Sequence, residues 1–175
     1  DYTASSPLTQ IRQYLQTGAL TSSSATNNSN HTTALGYAEA SQLSPTTAAQ
    51  IAGTLPYDST TLLIKYTYEG DANLDGKITA DDYALLDKGF ATHASTWTLG
   101  DFNYDGVVNA VDYLLIDKTV TLQSGSYSPD ATLLAQREAQ FGDAYVSELL
   151  TSIPEPSLLA ACGLAFPLLR RRRPQ

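Results

Sequence analysis

Two acidic segments of the chain carry the residue types that a calcium ion binds. Each places an aspartate, an asparagine and a second aspartate at alternating positions, followed by a glycine: DANLDG begins at Asp71 and DFNYDG at Asp101. Calcium takes about six to eight hard oxygen ligands, and carboxylate, amide and backbone carbonyl oxygens on one tight loop can supply them. The two segments are therefore candidate calcium-binding loops.

Position by position, both loops follow the EF-hand-type scheme, in which side chains at positions 1, 3, 5 and 12, a backbone carbonyl at position 7 and often a water at position 9 surround the ion. Gly76 and Gly106 fall at position 6, where the loop turns sharply. The predicted ligands of the first loop are Asp71, Asn73, Asp75, the carbonyl of Lys77, Thr79 and Asp82. Those of the second loop are Asp101, Asn103, Asp105, the carbonyl of Val107, Asn109 and Asp112. We therefore expect two Ca²⁺ ions, one in each loop.

The loops belong to an internal repeat in which each loop is followed by a helix. GDANLDGKITADDYALLDKGF from Gly70 aligns without a gap with GDFNYDGVVNAVDYLLIDKTV from Gly100. Apolar residues recur at helical spacing after each loop, which predicts two helices whose apolar faces close together. The residues at position 8, Ile78 and Val108, are expected to join the loops through a short backbone bridge. Such a pair has a small core, so ion binding should supply much of its stability.

The negative charge of the chain is concentrated around these loops. The net charge is −8, which becomes −12 when the four arginines at 170–173 are left out. Nine of the eighteen acidic residues lie between residues 71 and 117. An acidic body of this kind repels nucleic acid and attracts cations, so we predict no nucleic-acid partner. The regular spacing favours calcium ligation over a merely solvated acidic surface.

Other residue types exclude several kinds of chemistry. The single cysteine, Cys162, cannot form an intrachain disulfide, so calcium would replace a disulfide as the staple of an exported protein. The sequence has no Ser-His-Asp set, phosphate loop or zinc-ligand spacing, and we expect no enzyme activity within these residues. His31 and His93 are predicted to be solvated. Trp97 is predicted to pack against the helix pair rather than to stack on a sugar.

Short elements are predicted on both sides of the repeat. In chain order they are an amphipathic helix at 6–18, a loop at 21–33, a strand or short helix at 34–43 that ends at Pro45, a strand at 60–68 and a helix at 131–150. The predicted fold class is mainly α, with a duplicated EF-hand-type loop–helix pair, flanking helices and a short β element before the pair.

The duplicated arrangement resembles the type I dockerin family, whose module is a pair of calcium loops, each followed by a helix, with aspartate at position 12. The resemblance covers residues 70–120 and rests on two gap-free copies of Asp-Xaa-Asn-Xaa-Asp-Gly, with further aspartates at Asp82 and Asp112. It implies calcium bound by the residues named above. Aspartate is shorter than the glutamate of ordinary EF-hands, which implies weaker binding that suits the millimolar calcium outside the cell.

Positions 10 and 11 depart from the family pattern. Dockerins that assemble enzymes present polar pairs there, which dock a cohesin partner, whereas this chain has Ala80 and Asp81 in one copy and Ala110 and Val111 in the other. The cohesin contact therefore does not carry over residue by residue. A cohesin-like partner and an intramolecular spacer or docking role both stay open.

The chain ends in PEPSLLAACGLAFPLLRRRRPQ, which combines three parts in order. Pro154, Glu155 and Pro156 come first, the mostly apolar residues 157–169 follow, and then come four arginines. The apolar part is too short to span about 30 Å of hydrocarbon comfortably. The tail resembles the PEP-CTERM sorting signal that an exosortase recognises. The resemblance implies transient inner-membrane contact through residues 157–169, processing near Pro154-Glu155-Pro156, and export to the cell surface or extracellular matrix.

These features define two functional hypotheses. The first is a noncatalytic, calcium-binding structural or docking module at the C-terminus of an exported bacterial surface protein. The second is an accessory region of an extracellular polysaccharide-degrading enzyme, such as a glycoside hydrolase, whose catalytic domain lies upstream. Because the sequence lacks methionine and opens at Asp1, we expect it to be part of a longer chain. Its expected segments are the end of an upstream domain or connector at 1–69, the repeat pair at 70–120, a linker and amphipathic helix at 121–152, and the sorting signal at 153–175.

Overall fold

The computed structural model describes residue 2 and residues 5–124 and 129–153. In this part of the chain it contains seven α-helices and one two-stranded sheet, so the predicted mainly helical fold with a short β element is confirmed. The helices are α1 (Leu8–Gln16), α2 (Ser23–Thr26), α3 (Pro45–Ala52), α4 (Ala80–Thr92), α5 (Ala110–Gln123), α6 (Ala131–Phe141) and α7 (Asp143–Ser152). The strands are β1 (Thr33–Glu39) and β2 (Leu62–Tyr68), and 3₁₀ turns span Ala40–Gln42 and Trp97–Leu99. The predicted sorting signal lies outside the described residues, apart from Ile153.

The sheet delivers the chain into the first acidic loop. β1 and β2 pair antiparallel, with Thr33 opposite Tyr68 and Glu39 opposite Leu62. The β-branched and aromatic residues of β2 favour extended backbone, and the strand predicted at 60–68 is confirmed. The amide of Glu69 donates to the carbonyl of Thr32 at 2.9 Å, so the pairing continues to the edge of the loop.

The segment after β1 differs from its prediction. Residues 34–43 form both predicted alternatives in succession, a strand to Glu39 and then a 3₁₀ turn. The prediction that Pro45 ends the element is incomplete, because Pro45 also begins α3. Proline is tolerated at the first helical position, where its missing amide hydrogen is not needed. The side chain of Ser44 caps this helix by accepting from the amide of Thr47 at 3.1 Å.

Two further elements differ from their predictions for local reasons. The single helix predicted at 131–150 was wrong: the chain leaves the helical conformation at Gly142, which has a φ of 84°, and two helices result. The predicted loop at 21–33 contains the short helix α2, whose first turn is capped by the side chain of Ser22. In both places a single residue, Gly142 or Ser22, determines a local backbone conformation that the composition of the surrounding segment did not predict.

One hydrophobic cluster extends from the N-terminal elements through both loops to the last helix. Its large, fully buried side chains include Tyr37, Leu74, Trp97, Phe102, Ile116 and Leu149. Trp97 is completely buried, stacks on Tyr104 with ring centroids 5.7 Å apart, and donates from Nε1 to the carbonyl of Asp71 at 2.8 Å. Its predicted place in the core is therefore confirmed.

The two loop–helix copies exchange equivalent packing contacts. A Cβ atom added to Gly70, which precedes the first loop, would lie 2.6 Å from the side chain of Ile116 in α5. A Cβ atom added to Gly100, which precedes the second loop, would lie 2.5 Å from the side chain of Leu86 in α4. Each loop entrance thus needs glycine because it lies directly against the helix of the other copy.

Polar contacts repeat this exchange between α4 and α5. The hydroxyl of Tyr83 donates to Asp117 at 2.8 Å, and the hydroxyl of its counterpart Tyr113 donates to Asp87. The predicted closure of the two helices on each other is confirmed.

The expected backbone bridge between the loops was wrong. Within the described residues, no backbone hydrogen bond joins Ile78 to Val108, and neither residue belongs to a strand. Val108 is buried and Ile78 is half-buried, so the two side chains pack into the core without the bridge. The copies associate through helix faces and loop entrances instead.

A buried ion pair fastens the α6–α7 hairpin to α5. Asp117 is completely buried and accepts from Arg137 Nε at 2.6 Å, from Arg137 Nη2 at 3.1 Å and from the hydroxyl of Tyr145 at 2.6 Å. The guanidinium also lies 4.5 Å from the ring centroid of Tyr113. The ion pair and the hydrogen bonds offset part of the cost of burying the carboxylate, so the loss of one partner would leave that cost uncompensated.

Removing the arginine from this pair should destabilise the whole fold. Arg137→Met leaves Asp117 buried without its counter-charge, and we expect a loss of about 3–5 kcal/mol in the free energy of unfolding. Urea unfolding followed by circular dichroism measures this loss. The control is Glu138→Gln, an exposed neighbour on the same helix. Equal stabilities of the two variants would contradict this role for the pair.

Candidate metal centres

Each predicted loop is entered from a fixed element and leaves directly into a helix. β2 leads into the first loop, and the 3₁₀ turn at Trp97–Leu99 leads into the second. Thr79 and Asn109, at position 9, are the N-caps of α4 and α5, and their side chains accept from the amides of Asp81 and Val111. Each loop is therefore held at both ends before any ion is considered.

The residue at position 1 folds the first half of each loop. Asp71 Oδ2 accepts from the amide of Gly76 at 2.9 Å, and Asp101 Oδ2 accepts from the amide of Gly106 at 3.1 Å. The two glycines have φ of 95° and 90°, in the left-handed region that favours glycine. The side chain of Thr67 in β2 donates to the same oxygen of Asp71.

Positions 3 and 5 form successive side-chain turns inside each loop. Asn73 Oδ1 accepts from the amide of Asp75 at 2.8 Å, and Asp75 Oδ1 accepts from the amide of Lys77 at 2.9 Å. The second loop repeats both contacts with Asn103, Asp105 and Val107, at 2.9 Å and 2.8 Å. The loop backbone therefore curls around the side chains at these positions.

The aspartate at position 12 closes each loop. Asp82 Oδ1 accepts from the amides of Ala72 and Asn73 at 2.9 Å and 3.2 Å, and Asp82 Oδ2 accepts from the amide of Thr79 at 2.8 Å. Asp112 makes the matching contacts with Phe102 and Asn109, at 2.8 Å and 2.9 Å. Both carboxylates are completely buried. They bring the two ends of the loop together.

One oxygen at position 1 of each loop is left without a partner. Asp71 Oδ1 and Asp101 Oδ1 are buried and accept no hydrogen bond from any described residue. A buried carboxylate oxygen is costly unless it is paired, hydrogen-bonded or bound to a metal. The residues present thus fit an oxygen-binding cation, with a free acceptor at the same position of both loops.

The four buried aspartates of the loops also have raised pKa values. Burial raises the pKa values of Asp71, Asp82 and Asp101, and it raises the pKa of Asp112 to about 6. Burial shifts a carboxyl in this direction because it disfavours the ionised form. A bound divalent cation would reverse this preference.

The structure brings the predicted ligands onto the same two loops but does not close them into a cage. Within the described residues, no group of three or more His, Cys, Asp or Glu side chains adopts a metal-binding arrangement. The predicted sets mix three aspartates with asparagine, threonine and backbone carbonyl oxygens. His31 and His93 are exposed, as predicted.

Sequence reasoning missed residues outside the repeat that contact the loops. Lys65 Nζ donates to the carbonyl of Leu74 at 2.6 Å, and Arg12 Nη1 donates to the carbonyl of Tyr104 at 3.0 Å. Glu69, just before the first loop, is half-buried, and desolvation raises its pKa to about 7. No sequence spacing links these residues to the loops, because the contacts arise from the way the elements pack.

Comparison with known families supports the class of module that this geometry indicates. The family model for the dockerin type I domain matches residues 69–121, which contain both loops, α4 and α5. Dockerin domains of this type bind calcium, are noncatalytic docking domains, and occur in extracellular or cell-surface proteins. Comparisons with curated proteins and with solved structures found no match. Among the described residues, the helices are too short or too polar to cross a membrane.

The raised pKa values predict how the stability of the calcium-free protein depends on pH. A carboxyl whose pKa is higher in the folded state contributes stability that is present below its unfolded value, near 4, and is lost as the pH rises through its folded value. We therefore expect the calcium-free protein to lose stability from Asp112 between about pH 4 and pH 6. Urea unfolding across this range in calcium-free buffer measures the effect.

Asp112→Asn is the matched variant for this measurement, since the asparagine side chain does not ionise. The difference in stability between wild type and Asp112→Asn should change with pH across that window, and saturating calcium should suppress the loss in wild type. Parallel profiles of the two proteins would contradict the assigned shift.

Proposed function

We propose that residues 70–120 form a noncatalytic docking module whose two EF-hand-type loops each bind one Ca²⁺ ion. The buried and unpartnered Oδ1 atoms of Asp71 and Asp101 carry this proposal. The gap-free repeat and the dockerin match over residues 69–121 support it. Two equivalent orphaned acceptors on two equivalent loops favour two ions over one.

The proposed ligands divide into side-chain and backbone groups. In the first loop they are Asp71, Asn73, Asp75, the carbonyl of Lys77, Thr79 and Asp82. In the second loop they are Asp101, Asn103, Asp105, the carbonyl of Val107, Asn109 and Asp112. Bound calcium would supply a counter-charge for the buried aspartates, and these residues would hold it. Since ligand binding to the folded state stabilises it, calcium would then act as the staple of the module.

A calcium titration by calorimetry on the full chain tests the number of sites. We expect a stoichiometry near two for wild type, near one for Asp71→Ala or Asp101→Ala, and no binding for the double variant. Saturation to about 100 times the dissociation constant should stabilise the fold by about 2.7 kcal/mol per site.

The control for this titration is Asp81→Asn, which removes one negative charge from an exposed residue of the first loop that is not a proposed ligand. It should keep both sites. Two results together would rule out the proposed function. The wild-type chain would release or absorb no heat on calcium addition, and its melting temperature would be the same in calcium and in chelator.

The docking role has two candidate forms. Dockerin domains in general bind cohesin partners, which supports an intermolecular role. One observation supports the intramolecular form: Ala110 and Val111, at positions 10 and 11 of the second copy, line a groove together with Ala144 and Glu148 of α7. The hairpin therefore lies beside these positions, while Val111 itself stays exposed. In the first copy, Ala80 and Asp81 are exposed.

We further propose that the protein is exported and sorted by its C-terminal tail. The support is the sequence alone: Pro154-Glu155-Pro156, the apolar residues 157–169 and four terminal arginines. In this proposal an exosortase processes the chain after transient contact with the inner membrane, and the product reaches the cell surface or extracellular matrix. A role as the accessory region of a polysaccharide-degrading enzyme remains the alternative, and a catalytic domain upstream would favour it.

Expression in a bacterium with and without an exosortase tests the sorting proposal. Intact mass of the exported protein should reveal loss of the tail, including Cys162, only when the exosortase is present. Replacing the four arginines at 170–173 with glutamine should abolish this loss, because positive charge flanking an apolar segment holds it on the cytoplasmic side. Identical masses in the two hosts would remove the support for sorting.

A further inference from the structure

Both loops are contacted at the same place by a basic side chain from outside the repeat. Lys65 of β2 donates to the carbonyl of Leu74, and Arg12 of α1 donates to the carbonyl of Tyr104. Leu74 and Tyr104 both occupy position 4 of their loops. The Lys65 contact is short, at 2.6 Å, as expected when the donor carries a charge, and the Arg12 contact has an ordinary length of 3.0 Å.

The basic groups also lie over position 6 of each loop. A Cβ atom added to Gly76 would lie 3.3 Å from Lys65 Nζ, and one added to Gly106 would lie 2.6 Å from Arg12 Nη1. The residues at position 4 have φ of 59° and 63°, which is uncommon for residues with a side chain. The two cations therefore lie against the turn at positions 4 to 6 of each loop.

The repeat itself does not supply these cations. The residue that corresponds to Lys65 in the second copy is Ser95, which has no charge. The second loop instead receives its cation from α1, far away in the sequence. Two unrelated elements thus place a positive charge at one equivalent point, which points to a shared electrostatic role.

The charges nearby define what that role is. The first loop contains four aspartates and the second contains three. The positive charges of Lys65 and Arg12 favour the ionised forms of the position 1 carboxylates, Asp71 and Asp101 respectively. A fixed cation beside the loop stabilises the ion-free loop, because it offsets part of the negative charge of the aspartates. The same cation repels a divalent ion that enters the loop.

We propose that Lys65 and Arg12 are built-in counter-charges that support the ion-free loops and lower their affinity for calcium. The inference rests on the proposed calcium binding and adds the residues that set its strength. It assigns Lys65 to the first loop and Arg12 to the second. Because Arg12 lies in α1 and Lys65 lies in β2, these two elements before the repeat would also influence calcium affinity.

Calorimetric calcium titrations of single-site proteins test each cation separately. Lys65→Met is measured in the Asp101→Ala background, where the first loop is the remaining site, and Arg12→Met in the Asp71→Ala background. We expect each substitution to tighten calcium binding about three- to tenfold, the size expected for one charge near a partly solvated site. The gain should shrink at high salt, because salt screens this repulsion.

Three further variants separate charge from packing. Lys65→Arg and Arg12→Lys keep the charge and should bind calcium with affinities close to those of their parent proteins. Lys88→Met removes a positive charge from the exposed face of α4, outside the loops, and should leave both affinities unchanged. In chelator, Lys65→Met and Arg12→Met should melt below the parent proteins and below Lys88→Met.

An unchanged or weakened affinity in Lys65→Met and Arg12→Met would overturn the inference, since the cations would then be only structural. Should a variant unfold in chelator, calcium release from the loaded protein decides instead: slower release than from the parent supports the inference, and equal or faster release overturns it. Failure to fold even in calcium also overturns it. Absence of calcium heat in wild type is a separate result, which rejects the proposed function itself.

Discussion

The arrangement of the repeat depends on an aspartate buried at the start of each loop. Asp71 and Asp101 each use one oxygen to hold the glycine turn and leave the other without a partner among the described residues. An ionised carboxylate is expensive to bury without compensation. The amide of the glycine at position 6 donates to the other oxygen of this carboxylate, and further loop amides donate to the aspartate at position 12. What they leave unsatisfied is the acceptor that a cation would use.

The two copies depend on each other because neither encloses its own loop entrance. Gly70 lies against Ile116, and Gly100 lies against Leu86, so each loop is positioned by the helix of the other copy. The tyrosine–aspartate contacts between α4 and α5 follow the same exchange. A conformational change in one loop should therefore affect the conformation of the other through the shared core, because packed interiors transmit strain.

The packed unit is larger than the segment that the dockerin model matches. The match covers residues 69–121, whereas the hydrophobic cluster begins with residues of α1 and β1 and continues through α7 to Ile153. On one side, Lys65 and Arg12 reach the loops. On the other side, Arg137 fastens the hairpin to Asp117. The repeat is therefore embedded between elements that contribute charge as well as apolar surface.

The sequence by itself determined the local features of this protein. Loop boundaries, the glycine turns, the helices after each loop and the strand β2 all follow from spacing within a few residues, because a short loop closes on its own side chains. In the elements before and after the repeat, local prediction was less accurate, because single residues such as Pro45 and Gly142 determine where a helix begins or ends.

Only the tertiary structure decided which distant groups meet the loops. The reciprocal contacts of the glycines at the loop entrances, the absence of the expected bridge between Ile78 and Val108 in the described residues, and the cations from α1 and β2 depend on packing between separate elements. Such contacts follow from the shapes and relative positions of whole elements, and the spacing of apolar and polar residues along the chain does not predict them.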